Sequence, residues 1–251
     1  NFIPTKSENV LVTNGGKQAI YNLLQVILDP GDEVIIPSPY WLSYPEITKL
    51  AGGIPKIINS SAKEGFSLDL EKLKTTINEK TKLLIINSPC NPTGRVSSKS
   101  ELEAIADIVR NHPKLMIMSD EIYEFLLTPS TKHFSFAAIA PDLAKRTLTV
   151  NGFAKGWAMT GWRIGYLTGD REVIKAATAL QSQSTSNVCT FAQYGALAAI
   201  LGSQDCVKEM SVSYNSRRET LVKGLINIKG LTLIPPTGAF YAFPQLPLEC
   251  P

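Results

Sequence analysis

Residues 82–120 read KLLIINSPCNPTGRVSSKSELEAIADIVRNHPKLMIMSD, and the order of patterns within them decides the fold. KLLIIN (82–87) is a short apolar run that reads as a strand, and SPCNPTG (88–94) is a loop dense in turn formers. A helical pattern follows over 99–110, and KLMIMSD (114–120) returns to a strand. Strand, helix, strand at this spacing is the repeating unit of a parallel sheet, whose neighbours need a crossover between them.

The same alternation runs outward in both directions. VLVT (10–13) precedes a helical pattern from Gly16 to Leu28, and DPGD (29–32) is a turn. EVIIP (33–37) reads as a buried strand, PEITKLA (45–51) as a short helix, PKIIN (55–59) as a strand and DLEKLKTTI (69–77) as an amphipathic helix. TLTVN (147–151) and RIGYLTG (163–169) complete the strands. From Arg171 to about Asn227 the pattern is long and helical, and GAFYAF (238–243) reads as a strand with no further chain to pair with. The expectation is an α/β/α sandwich on a mostly parallel sheet, with a C-terminus that reads as truncated.

Composition narrows the classes of function. The 251 residues are 44% hydrophobic and 19% charged, enough for a sizeable core. A net charge of +3, from 25 basic and 22 acidic residues spread along the chain, is too mild and mixed to argue for nucleic acid or an anionic membrane. Cys90, Cys189, Cys206 and Cys250 are far apart, as expected of free thiols in a reducing compartment. His112 and His133 have no metal-ligand spacing, so no metal is expected. No apolar run reaches the roughly 20 residues that span a bilayer. The longest, CTFAQYGALAAIL (189–201), is interrupted by Gln193 and Gly195.

Ligands of open α/β sheets gather outside the carboxyl ends of the strands, where several unusual residues fall. Gly15, Gly16 and Lys17 open a helix after a strand, which suits an anion as well as it suits a tight turn. The pattern is neither GxGxxG nor GxxxxGK[ST], so a dinucleotide or nucleoside triphosphate is not indicated, and a Rossmann-type dehydrogenase is disfavoured. Trp41 follows a proline in SPYW (38–41), where a core aromatic is the plainer reading. Asp120 ends an apolar strand, where an acid is costly unless paired or capping a helix. NGFAKGWAMTGWRIGY (151–166) places Lys155 among glycine, alanine and tryptophan, and Arg163 inside an apolar, strand-like run. A desolvated lysine is a reactive amine, and a buried guanidinium wants an anion. One ligand would take all these parts. Pyridoxal phosphate needs a lysine for its aldehyde, an acid for its ring nitrogen, donors for its phenolic oxygen, an aromatic face and a phosphate cup.

SPYW, NSPCNPTG, SDEIYE and above all KGWAMTGWRIGY, in order and at matching spacing over nearly the whole chain, resemble the class I pyridoxal-phosphate aminotransferases of fold type I. Within that family the likeness is to prokaryotic and plastid-type aspartate aminotransferases, some of which also act on prephenate. The resemblance implies a ping-pong Schiff-base transamination between an amino acid, aspartate or glutamate, and a 2-oxo acid such as oxoglutarate, oxaloacetate or prephenate. It implies pyridoxal 5'-phosphate as cofactor, with Lys155 holding the aldehyde and then shuttling a proton as base and acid. Asp120 would keep the pyridine nitrogen protonated, Tyr123 and Asn91 would bond the phenolic oxygen, and Trp41 would stack on the ring. Arg163, with the backbone around Gly16 and Lys17, would bind the phosphate. Lys17 is also expected to reach a substrate's distal carboxylate, with Trp41 and Asn91 beside the substrate.

The resemblance further implies a homodimer, with Ser184–Asn187 reaching the neighbouring subunit's site, and cis peptides at Ser38-Pro39 and Asn91-Pro92. Residues 1–210 would form the large cofactor domain, and 211–251 a linking helix carrying Arg217 and Arg218 and an incomplete start of a small domain. Gly152 stands where many relatives have a serine. The family's arginine for the substrate α-carboxylate falls outside this sequence, so the chain by itself is expected to transaminate poorly. A cytoplasmic location is expected, with a plastid transit peptide left open. The shared core residues also leave open a C–S lyase, a kynurenine-type aminotransferase or a non-catalytic cofactor-binding module.

Overall fold

A computed structural model describes residues 3–247. Seven strands form one sheet: β1 (Val10–Thr13), β2 (Glu33–Pro37), β3 (Ile54–Ile58), β4 (Thr81–Asn87), β5 (Met116–Asp120), β6 (Thr147–Gly152) and β7 (Gly165–Thr168). Their order across the sheet is β1-β7-β6-β5-β4-β2-β3. Only β7 runs against its neighbours. The central strands are buried along nearly their whole length, as expected where helices cover both faces of a parallel sheet.

The helices are α1 (Gly16–Ile27), α2 (Ser43–Leu50), α3 (Leu70–Thr76), α4 (Lys99–Arg110), α5 (Phe136–Ile139), α6 (Arg171–Ser184), α7 (Thr190–Leu201) and α8 (Asp205–Ile226). On one face, Leu23 and Leu24 of α1, Tyr44 of α2 and Ala177 of α6 pack on Ile36, Ile85, Met118 and Val150. On the other, Leu73 of α3, Leu102 and Val109 of α4 and Phe136 of α5 pack on Ile35, Leu84 and Ile117. The α/β/α sandwich expected from the sequence is the fold observed.

Helix starts differ in a way that prepares the site. Asp69, Ser98 and Asp170 cap α3, α4 and α6 by accepting backbone N–H groups. Helix α1 begins after Gly15, which has no side chain to offer. The N-terminus of α1 therefore keeps its donors and its positive dipole end for something else.

Two expectations are corrected. Arg163 is not inside a strand, because β7 starts at Gly165 and Arg163 has φ 55, a left-handed conformation that breaks extended pairing. Its guanidinium is exposed rather than buried. GAFYAF is not a strand either. Gly238 makes one isolated antiparallel bridge to Leu127, and Ala239, at φ 53, turns the chain out of the extended run. The segment has partners after all: Gly238 N–H donates to the Gly94 carbonyl at 2.8 Å and Ala239 N–H to that of Leu126 at 2.8 Å. Cys250 lies outside the described residues.

Candidate active site

The carboxyl ends of β1, β2, β4, β5 and β6 converge on a cavity of about 250 Å³. Gly16, Lys17, Trp41, Asn91, Asp120, Tyr123, Lys155 and Arg163 all line it. All eight residues expected at the cofactor are thus brought to one place.

The loop after β4 is held by the side chain of Asn87. Asn87 accepts the Asn91 N–H at 2.8 Å and donates to the Asp120 carbonyl at 3.1 Å, tying the SPCNPTG loop to the end of β5. Its prolyl bonds at Ser88-Pro89 and Asn91-Pro92 are cis, as is Ser38-Pro39 across the cavity. Two of these were expected, and Ser88-Pro89 was not.

Asp120 is 5% exposed, and no basic side chain among the described residues offsets its charge. Burial pushes its carboxyl up to about 6, against the Tyr44 hydroxyl and the Ile122 N–H, which pull it down. Tyr44 donates to Oδ2 at 2.6 Å, and Ile122 N–H to Oδ1 at 3.3 Å. No helix follows Asp120, so the capping explanation for this acid falls away.

Lys155 follows β6 in a turn and is partly buried. Its Nζ lies 5.6 Å from the ring centre of Tyr123 and 5.1 Å from that of Phe240. Desolvation first, and the Arg163 charge second, lower its pKa. An amine that loses its proton easily, facing a buried acid across one cavity, is an arrangement that ordinary packing has no use for.

Arg163 donates to the Thr160 carbonyl at 2.9 Å and the Asn14 carbonyl at 3.3 Å, which holds its guanidinium beside the start of α1. Gly15 makes this approach possible, since a Cβ there would lie 2.3 Å from Arg163 Nη2. An uncapped helix N-terminus and a guanidinium side by side form an anion cup. Lys17 Nζ sits 4.9 Å from the centre of the Trp41 ring, and Trp41 meets Tyr44 edge-on at 5.4 Å.

Two cavity residues escaped the sequence reading. The Tyr241 hydroxyl bonds that of Tyr123 and accepts from Asn91 Nδ2 at 3.2 Å. Tyr241 lies in GAFYAF, which reads as an unpaired strand, and the run of aromatics there is the signal that marks it. Tyr44, three residues after Trp41, carried no signal beyond helical spacing. Glu121, Glu124 and His133 also approach within 4.8 Å of one another. The Glu121 carboxylate already accepts from Ser119 and Ser135 and bonds His133 Nε2, so that cluster reads as a buried hydrogen-bond network.

The residues fit pyridoxal phosphate on their own chemistry. The buried Asp120 lacks a cation, Lys155 is a softened amine, the helix α1 N-terminus is open beside a guanidinium, and hydroxyl and amide donors converge at Tyr123 and Asn91. The family model for aminotransferase class I and II matches residues 1–249. The aspartate aminotransferase of Bacillus sp. strain YM-2 is 47% identical over 98% of this chain and 62% of its own length. A probable aspartate/prephenate aminotransferase of Rickettsia felis is 45% identical over 97% of this chain and 59% of its length. Among solved structures, the aspartate aminotransferase of Rhizobium meliloti superposes with a TM-score of 0.95 at 40% identity, covering 97% of this chain and 61% of that one. The Thermus thermophilus aspartate aminotransferase with maleate gives a TM-score of 0.90 at 46% identity, covering 96% and 63%. The chain belongs to the class I and II aminotransferase family. It spans about three fifths of the length of these relatives.

Proposed function

We propose that the protein is a pyridoxal-phosphate-dependent aminotransferase exchanging the amino group of aspartate or glutamate with a 2-oxo acid. The observation that carries this reading is the convergence of the softened amine of Lys155 and the uncompensated acid of Asp120 on one cavity. When bound, pyridoxal phosphate supplies an aldehyde for an amine and a ring that draws off the electron pair left when a substrate Cα loses its proton. Lys155, whose ammonium is made easier to deprotonate by desolvation and by Arg163, would hold that aldehyde through Nζ, and Nζ would then take the Cα proton as base and return it as acid. Asp120 supplies the negative charge that favours a protonated ring nitrogen. Tyr123 and Asn91 would donate to the phenolic oxygen, and Trp41 would lie against the ring. Arg163 and the backbone at Gly16 and Lys17 would hold the phosphate. Lys17, exposed at the rim, is the group proposed to meet the distal carboxylate of a dicarboxylic substrate.

The proposal extends to a homodimer and to the division of the chain. Helix α7 contains no charged residue, yet Phe191, Tyr194 and Leu201 are 72%, 69% and 76% exposed. Such a face requires cover, and a second copy is the proposed cover. Ser184–Asn187, at the end of α6, is proposed to reach the partner's site. Residues 1–210 are proposed as the cofactor domain, and 211–251 as a link into a smaller one; Arg217 and Arg218 lie within α8. No helix among the described residues is long and apolar enough to cross a membrane, and a cytoplasmic location is proposed. The chain loaded with pyridoxal phosphate is expected to exchange amino groups between aspartate and 2-oxoglutarate slowly, with prephenate assayed as an alternative acceptor. Elimination products without amino transfer would favour a lyase and contradict the reading.

A further inference from the structure

We propose that Tyr44 is a positioning residue: its buried hydroxyl, donating to Asp120 Oδ2, fixes which lone pairs of that carboxylate face the cofactor's ring nitrogen. The inference rests on the pyridoxal-phosphate reading of the cavity. Tyr44 is 1% exposed, and its oxygen lies 2.6 Å from Oδ2. A carboxylate has about four acceptor directions. Tyr44 takes one on Oδ2, and the Ile122 N–H takes one on Oδ1 at 3.3 Å, leaving the rest for the cavity that Asp120 lines. With no basic partner to orient it, the carboxylate depends on these two donors, and the tyrosine bond is much the shorter.

Tyr44 is itself held. It sits in the first turn of α2, packs edge-on against Trp41, and its carbonyl accepts from Thr48 Oγ1 at 2.8 Å. The residue that orients the acid thus stands in the first turn of α2 and packs against the aromatic wall formed by Trp41 just before that helix. The other ionisable groups near Asp120 are Glu121 beside it and the Tyr123 phenol and Cys90 thiol, both pushed up by burial. Lys155 and Arg163 stand elsewhere on the cavity wall. None of these donates to the Asp120 carboxylate in its place.

The test uses the full chain stripped of cofactor and titrated at neutral pH, followed by absorbance. The probes are pyridoxal phosphate and its 1-deaza analogue, in which carbon replaces the ring nitrogen. Tyr44→Phe is expected to weaken pyridoxal phosphate about tenfold, the scale of a hydrogen bond to a charged group, and to leave the 1-deaza analogue within about twofold of wild type. In an Asp120→Asn background the same change is expected to cost less than about twofold. Equal weakening of both probes, or the same loss in both backgrounds, would mean that Tyr44 merely fills space and would overturn the inference. Unchanged binding by Tyr44→Phe would overturn it while leaving the cofactor reading intact. Failure of the wild-type chain to bind pyridoxal phosphate would overturn both.

Discussion

Asp120 is an acid that the fold keeps at a cost. Its carboxyl, pushed up to about 6 by burial, lies above the ordinary value of about 3.9. Between those values the folded chain holds a proton that the unfolded chain has released, so stability falls as pH rises through that window and stays low above it. The loss is up to about 3 kcal/mol. Asp120→Asn is therefore expected to raise the melting temperature of the cofactor-free chain at pH 7, by about 1–3 kcal/mol of stability, while weakening cofactor binding. A variant that melts lower than wild type at pH 7 would contradict this. Lys155→Arg keeps a cation but not a reactive amine, and turnover is expected to fall by about a thousandfold or more, measured with aspartate as donor. Lys155 and Asp120 were legible in the sequence because each is a charge where packing wants none, whereas Arg163 was legible only as a charge among apolar neighbours in sequence, its guanidinium being exposed. Tyr44 and Tyr241 were not, because a tyrosine is at home in a core, in a strand or in a site.

At the scale of elements, the strands and helices were legible because the central strands are continuously apolar and several helices carry side-chain caps. What failed was local backbone conformation: the left-handed residues Arg163 and Ala239 each broke a run that hydrophobicity alone read as extended. The contact between the start of α1 and the start of β7 is another feature that pattern does not report. A Cβ at Gly165 would lie 2.6 Å from both the Gly15 carbonyl carbon and the Gly16 nitrogen, against backbone that cannot yield. At Gly16 it would meet Val150 Cγ1 at 3.5 Å and Ile122 Cδ1 at 3.9 Å, both ordinary contacts. Gly165→Ala is thus expected to destabilise by about 2 kcal/mol or more, and Gly16→Ala by less than about 1 kcal/mol. Chemical denaturation of the two variants checks the order, and the reverse order would contradict the described approach of strand and helix.

At the scale of the molecule, the exposed apolar face of α7 sets an expectation about assembly. Phe191→Asp with Leu201→Asp is expected to convert a dimer to a monomer in sedimentation, with the fold preserved by circular dichroism. A wild-type chain that sediments as a monomer would contradict the proposed pairing. No pattern in the sequence distinguished this helix from a core helix, since both are apolar all round. The proposed activity turns on one covalent attachment. Borohydride reduction of the chain mixed with pyridoxal phosphate, followed by peptide mapping, is expected to place the label on Lys155 and to find none in a Lys155→Ala variant. A label on another lysine, or an undiminished one in that variant, would contradict the assignment.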